Sequence, residues 1–181
     1  MIFTPIELAG AYIIDVDPHM DQRGFFTRSF CQNEFDDHGL NPKIVQMNTG
    51  FSHKKGTLRG MHYQTHPYAE AKLVRCIRGA IYDVMVDLRP NSSTHKKWFG
   101  VRLTQENHRM LYVPEGFAHG YITLEDNTEM IYQTTAFFSK DHATGVRFDD
   151  PAFNIDWLIE PLVVSAQDRS WPDYLIDQKI L

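Results

Sequence analysis

The sequence predicts an all-β domain, a sandwich or barrel assembled from many short strands. Three observations lead there. Short runs rich in β-branched and aromatic residues recur along the chain, apolar and polar residues alternate within them, and Gly, Pro, Asn and Ser punctuate the gaps. Strands this short and this numerous suit a two-sheet or closed architecture.

Residues 11–16 form the first strand-like run. In residues 21–30, if extended, one face carries Asp21, Arg23, Phe25, Thr27 and Ser29, and the other Gly24, Phe26, Arg28 and Phe30. Residues 32–38 read as a short helix. Around Val45-Gln46-Met47-Asn48, alternation turns Gln46 and Asn48 to the same side. Residues 57–64 form the next strand, with Arg59, Met61 and Tyr63 on one face and Gly60, His62 and Gln64 on the other. Lys72–Arg78 follows, then a turn at Gly79, then the alternating run 80–88, where Ile81, Asp83, Met85 and Asp87 oppose Tyr82, Val84, Val86 and Leu88. After the turn cluster Pro90-Asn91-Ser92-Ser93, strands are expected at 98–103, Met110–Val113, 120–124 and 129–137, with helical character again near the C-terminus.

A chain of 181 residues fits one domain, 1–181, that can bury a core without metals or disulfides. Its net charge of -5 argues against a dedicated nucleic-acid binder. Cys31 and Cys76 are too few for a disulfide framework, which favours a reducing compartment. Residues 1–10 show no basic leader, and no stretch approaches the ~18 apolar residues of a membrane span. A cytoplasmic protein with no membrane partner is expected.

Several residues could carry chemistry. Gly60 leaves room beside His62 for a ligand or another backbone, and Lys72 follows after a Pro-containing loop. His62 could equally be a hydrogen-bonded structural histidine. Pro114-Glu115-Gly116-Phe117-Ala118-His119 sets a turn before a strand beginning at His119 and raises a metal hypothesis. Barrels that bind metal in this context also use a His-x-His pair, whereas this chain reads His62-Tyr63-Gln64, so one ligand is lost and no metal is expected. His119 then shapes the pocket or hydrogen-bonds a substrate oxygen. Tyr132 in a strand is by default a packing residue, and Asp168 a solvated surface one. Arg23, Phe26 and Arg28 could bind a phosphate and stack on a base, or simply protect an edge strand.

Together these segments resemble the dTDP-4-dehydrorhamnose 3,5-epimerase family, across almost the whole chain. The likeness rests on Asp21-Gln22-Arg23-Gly24-Phe25-Phe26, Gln46-Met47-Asn48, Leu58-Arg59-Gly60-Met61-His62-Tyr63-Gln64 and Lys72-Leu73-Val74. It continues through Asp83-Val84-Met85-Val86-Asp87-Leu88-Arg89, Pro114-Glu115-Gly116-Phe117-Ala118-His119-Gly120, Ile131-Tyr132 and Ser165-Ala166-Gln167-Asp168. The resemblance implies a cupin-type jelly-roll barrel with a few short helices at its periphery, forming a homodimer that acts on a nucleotide sugar without a cofactor. It implies that His62 is the base, paired with Asp168, that Tyr132 is the acid, and that Lys72 and Arg59 lie near the ketone oxygen. Arg23 and Phe26 would reach the nucleotide bound by the neighbouring subunit, while Gln46 and Asn48 would line the pocket.

Two positions depart from the family pattern. Arg28 stands where an acidic residue is usual near the base, and Phe138 where a tyrosine is usual. Phe138 can stack but cannot donate a hydroxyl hydrogen bond, and Arg28 offers a donor fork where a uracil-like imide N–H prefers an acceptor. A mono-epimerase acting on a cytidine- or guanosine-linked 4-keto sugar is therefore an alternative. So are a ketoisomerase and a non-catalytic sugar-nucleotide binding module on the same barrel.

On the implied reaction, a hydrogen beside a ketone is removed because the resulting charge spreads onto oxygen. His62 suits the base, since histidine ordinarily titrates near neutrality, and Asp168 would orient it and favour its protonated form. Lys72 and Arg59 would hold the enolate oxygen, and Tyr132 would protonate the opposite face.

Overall fold

The computed structural model describes residues 1–174. Its core is a pair of stacked antiparallel sheets in a jelly-roll sandwich. The first sheet contains β1 (Ile2–Pro5), β2 (Tyr12–Asp15), β5 (Gln46–Ser52), β7 (Lys72–Arg78), β10 (Met110–Val113) and β12 (Thr128–Thr134). Its spatial order is β1-β2-β10-β7-β12-β5. The second contains β6 (Thr57–Gln64), β8 (Ala80–Asp87), β9 (Trp98–Thr104), β11 (Phe117–Thr123) and β13 (Ala143–Gly145), ordered β13-β6-β11-β8-β9. A two-residue strand, β14 (Val163–Val164), pairs parallel with the start of β6. A separate hairpin joins β3 (His19–Asp21) to β4 (Gly24–Phe26).

Alternation within the strands sorts the side chains into three apolar layers. Val74, Cys76, Ile81, Met85, Leu103, Leu111 and Met130 fill the space between the sheets. The opposite faces of β6, β8 and β11 send Leu58, Met61, Tyr82, Val84, Val86 and Ile122 outward, where Phe148, Phe153 and Trp157 from the C-terminal segment cover them. Outside the first sheet, Phe35 of helix α1 (Gln32–Asp37) packs on Ile14, Leu73, Met110 and Tyr112. The alternation expected over 80–88 is present, and both of its faces are buried. Such a strand spends its polar positions, Asp83 and Asp87, inside the protein, where each must find partners.

Most expected strands occur close to their expected limits, with instructive differences. The strand carrying His119 begins at Phe117, because Phe117–Asp87 and Ala118–Val86 already pair across β11 and β8. The strand expected to run to residue 137 ends at Thr134, whose hydroxyl turns back to the Ala136 carbonyl. Residues 21–30 are not one extended strand: a turn at Gln22-Arg23 closes the β3–β4 hairpin, with Asp21 paired to Gly24 (φ +122°), and the chain leaves it after Phe26. The helical character expected near the C-terminus is α2 (Ala166–Ser170); residues 175–181 of that stretch lie outside the described residues. Cys31 and Cys76 are unpaired thiols, and burial pushes the Cys76 thiol up to about 11.

Candidate active site

A cavity of about 930 Å³ opens between the sheets, walled by β5, β6, β7, β11 and β12 and closed on one side by the segment from Val163 to Trp171. Its chemistry begins with an irregularity in β6. Against β11, His62 pairs with His119 and Arg59 with Tyr121, so three steps along β6 match two along β11. The extra residue is a bulge, and it inverts the facing pattern. Arg59 therefore lines the cavity together with His62 and Gln64, while Met61 enters the apolar layer behind. This corrects the simple alternation, which put Arg59 on the opposite face from His62.

Glycine is what permits the bulge. A Cβ on Gly60, whose φ is +149°, would lie 2.5 Å from the Gly120 Cα. One on Gly120 would lie 2.8 Å from the Arg59 carbonyl oxygen. The room beside His62 is thus taken by a neighbouring backbone, the second of the two uses expected for it.

The His62 ring faces the cavity, and its Nε2 lies 2.6 Å from Asp168 Oδ1. Asp168 is not the solvated residue expected by default; its side chain is 6% exposed. Ser165 is the N-cap of α2, its hydroxyl accepting from the Asp168 N–H at 3.0 Å, and this turns the carboxylate inward. Burial alone would raise the Asp168 pKa. Hydrogen bonding and charge from His62, aided by Ser165 and the Gly60 backbone, outweigh burial and hold it below the usual carboxylate range. The Trp171 indole stands edge-on to the His62 ring, 6.5 Å between centroids.

Across the cavity, Lys72 is buried at the start of β7. Its Nζ donates to the His62 carbonyl oxygen at 3.2 Å and pairs with Glu70 Oε1 at 3.3 Å. Lys72 opposes Thr134 on β12, and Tyr132 is the next residue along that face. The phenol of Tyr132 lines the same cavity as His62. Burial first, and then the nearby Glu70 carboxylate, push its pKa up, so it is a neutral donor at ordinary pH. Asn48, directly across β5 from Tyr132, also lines the cavity.

His119 reaches the cavity from β11, its Nε2 2.8 Å from the fully buried Asp83 Oδ1. Arg59 donates to the Phe51 carbonyl oxygen at 3.2 Å, which leaves the rest of its guanidinium free to face the cavity. Among the described residues no three His, Cys, Asp or Glu side chains gather as metal ligands. The two cavity histidines each meet a carboxylate instead.

The remaining expected residues divide. Phe138 lines the cavity mouth at 64% exposure. Gln46 lies beside the mouth rather than in its lining. Its Nε2 donates to Asn48 Oδ1 at 3.1 Å, and its Oε1 accepts from the Phe138 N–H at 3.2 Å. Arg23, Phe26 and Arg28 are not part of their own chain's cavity. Arg23 pairs with Asp21 on the hairpin, and Phe26 is 78% exposed. Arg28 is not the free donor fork expected, because its Nη1 donates to Glu34 Oε1 at 2.6 Å.

Glu70 and Tyr121, which the sequence did not single out, line the cavity, and so does Gln64, which alternation had placed on the face of His62 without a role. A signal existed for Glu70, which stands two residues before Lys72, the spacing that shares a face in extended chain. Ser165-Ala166-Gln167-Asp168 likewise carries the spacing of a helix N-cap and its N3 partner. Chemically, the assembled groups can take a proton from a carbon acid, hold negative charge on the adjacent oxygen and return a proton from another wall.

Known proteins resemble this chain in both sequence and fold. Residues 5–175 match the family model described as dTDP-4-dehydrorhamnose 3,5-epimerase. A protein of that name from Methanothermobacter thermautotrophicus is 42% identical over 172 residues, covering 93% of this chain and 92% of its own. The Bacillus anthracis dTDP-4-dehydrorhamnose 3,5-epimerase, solved with TDP and PPi bound, is 38% identical. It superposes with a TM-score of 0.92 over 96% of this chain and 99% of its own. The dTDP-6-deoxy-D-glucose-3,5-epimerase of Legionella pneumophila, solved in complex with dTDP-4-keto-L-rhamnose, is 33% identical with a TM-score of 0.92, covering 99% of this chain and 96% of its own. With the family model spanning nearly the whole chain and relatives this similar over nearly their whole length, the chain belongs to the dTDP-4-dehydrorhamnose 3,5-epimerase family of isomerases.

Proposed function

We propose that the protein inverts C3 and C5 of dTDP-4-dehydro-6-deoxy-D-glucose, giving dTDP-4-dehydro-L-rhamnose, by metal-independent proton transfer. The observation that carries this reading is a single cavity presenting the His62–Asp168 pair, Lys72, Arg59 and Tyr132. His62 removes the hydrogen beside the C4 ketone, and the C–H electron pair moves into a C=C bond as the carbonyl becomes an enolate. Lys72 and Arg59 hold the enolate oxygen, where a preorganised cation in a water-poor site is most effective. Tyr132 gives its proton to the opposite face of the carbon, the carbonyl re-forms, and solvent resets both residues. Asp168 holds the imidazole in orientation and balances its charge while it carries the proton. His119 hydrogen-bonds a sugar oxygen.

Thymidine is the nucleotide on this reading, since the relatives solved with ligands hold TDP or a dTDP-sugar. Arg23 and Phe26 sit on an exposed hairpin away from their own cavity, a position suited to reaching the nucleotide in a second copy. The working unit is then a cytoplasmic homodimer in deoxysugar biosynthesis for cell-surface polysaccharide.

Incubation with dTDP-4-dehydro-6-deoxy-D-glucose in deuterated water tests the reading. Deuterium at C3 and C5, with both centres inverted and the ketone still at C4, is the expected result. A carbonyl moved to C3, or binding without any exchange, contradicts it.

A further inference from the structure

Among the described residues the cavity lining contains one acidic side chain that the proposed proton transfers do not use. Glu70 lies in the loop between β6 and β7, and its side chain is 10% exposed. Both oxygens are engaged: Oε1 pairs with Lys72 Nζ at 3.3 Å, and Oε2 accepts from Gln64 Nε2 at 3.1 Å. Gln64 is itself pinned: the two hydrogens of its Nε2 are shared among Glu70 and the Tyr68 and Phe137 carbonyl oxygens, and its Oε1 accepts from the Ser139 N–H at 2.7 Å. Glu70 therefore ties the loop before β7 to the one that carries Phe138.

A buried carboxylate is costly unless its charge is compensated. Its only cation partner in the salt-bridge geometry of the described residues is Lys72, a group assigned above to the enolate oxygen. The other groups facing this space are the His62 carbonyl and the His62–Asp168 pair on β6 and α2, Arg59 and Tyr63 on β6, His119 and Tyr121 on β11, and Tyr132 on β12. Tyr132 stands one same-face position from Thr134, the residue opposite Lys72, which places it diagonally across from the Lys72–Glu70 pair.

We propose that Glu70 is a positioning residue of this site: it anchors the Lys72 ammonium and sets a negative charge diagonally across the sheet from Tyr132. A tyrosinate at this place could not protonate the enolate, and a second anion near Glu70 is disfavoured by like-charge repulsion. Burial raises the Tyr132 pKa most, and Glu70 adds to it in the same direction. The anchor works through geometry. A lysine held at two points, the His62 carbonyl and the Glu70 carboxylate, keeps its remaining hydrogen directed at one place in the cavity.

This inference rests on the epimerase reading, and its test is chosen to be read without substrate. Tyrosine labelled with ¹³C at Cζ is followed by NMR across alkaline pH, with the Tyr132 resonance assigned by its absence from Tyr132→Phe. Removing the charge in Glu70→Gln is expected to let Tyr132 ionise about half a pH unit lower or more, roughly a threefold change in its ionisation constant. Glu70→Asp, which keeps the charge, should stay closer to the parent and guards against a change caused by altered packing. In turnover, Glu70→Gln should lower kcat more than it raises KM, since the enolate forms only after binding. Tyr132 ionising at the same pH in parent and Glu70→Gln, or equal shifts in Glu70→Gln and Glu70→Asp, would overturn the inference while leaving the epimerase reading intact. Absence of any epimerisation by the parent protein would remove that reading and leave the titration result standing.

Discussion

His62 and Asp168 are 106 residues apart in the chain, yet their side chains meet at 2.6 Å across one wall of the cavity. Asp168 is buried and His62 partly open, so on the proposed mechanism the carboxylate acts on the substrate only through the imidazole. Asp168→Asn keeps the size and loses the charge, leaving an amide that can present the wrong group to the ring. The expected outcome is a fall in kcat of about 10²-fold or more with a folded protein, measured by steady-state kinetics beside circular dichroism.

The same logic of buried carboxylates predicts an acid limit to stability. Asp87 is fully buried, and burial alone would raise its pKa. Arg89, Ser92 and Thr94 donate to it and bring it down from its ordinary 3.8 to about 2. A depressed folded pKa contributes stability above the unfolded value, and that contribution is lost as pH falls through the folded one. The charged form is therefore worth about 2 kcal/mol at neutral pH, declining from ~pH 4 to ~pH 2. Asp87→Asn should lose at least that much near pH 7 and show a smaller further loss on acidification, measured by urea unfolding at several pH values.

The close approach of Gly60 to Gly120 predicts a link between packing and catalysis. In Gly120→Ala the new methyl meets the Arg59 carbonyl oxygen and the Gly60 Cα, each at 2.8 Å, and neither is a flexible side-chain end. Strand β6 must shift, carrying Arg59 and His62 with it. A loss of about 1–3 kcal/mol in stability is expected, together with a drop in kcat out of proportion to substrate affinity. Unfolding curves and kinetics on one preparation test both.

Arg23 stands outside the cavity of its own chain, paired with Asp21 on an exposed hairpin. If it contacts the nucleotide rather than the sugar ketone, it binds ground state and transition state alike. Arg23→Ala should raise KM about tenfold, near 1.4 kcal/mol, with kcat almost unchanged.

How much of this was legible in the sequence depends on the range of the interaction. Strand β8 follows its local alternation, because a strand's pattern is set by nearest neighbours and which side is buried. Arg59 broke the pattern because the bulge beside Gly60 arises from pairing with Gly120, sixty residues on. Asp168 had no local mark of burial; its contact exists only once the last segment folds over β6. Its N-cap spacing from Ser165 was local, and readable. Glu70 and Lys72 share a face two residues apart, but their meeting with Tyr132 needs β12 alongside β7. Arg28 looked free because its partner Glu34 lies on a different element, α1.

The central claim is that His62 and Tyr132 serve opposite faces of the same carbon, and Tyr132→Phe in deuterated water tests it most directly. With the base intact and the acid removed, the account predicts that solvent deuterium still enters beside the ketone while the inverted product falls by at least about 10²-fold. Inversion at the parent rate in Tyr132→Phe, or loss of exchange and inversion together with substrate still bound, would contradict it.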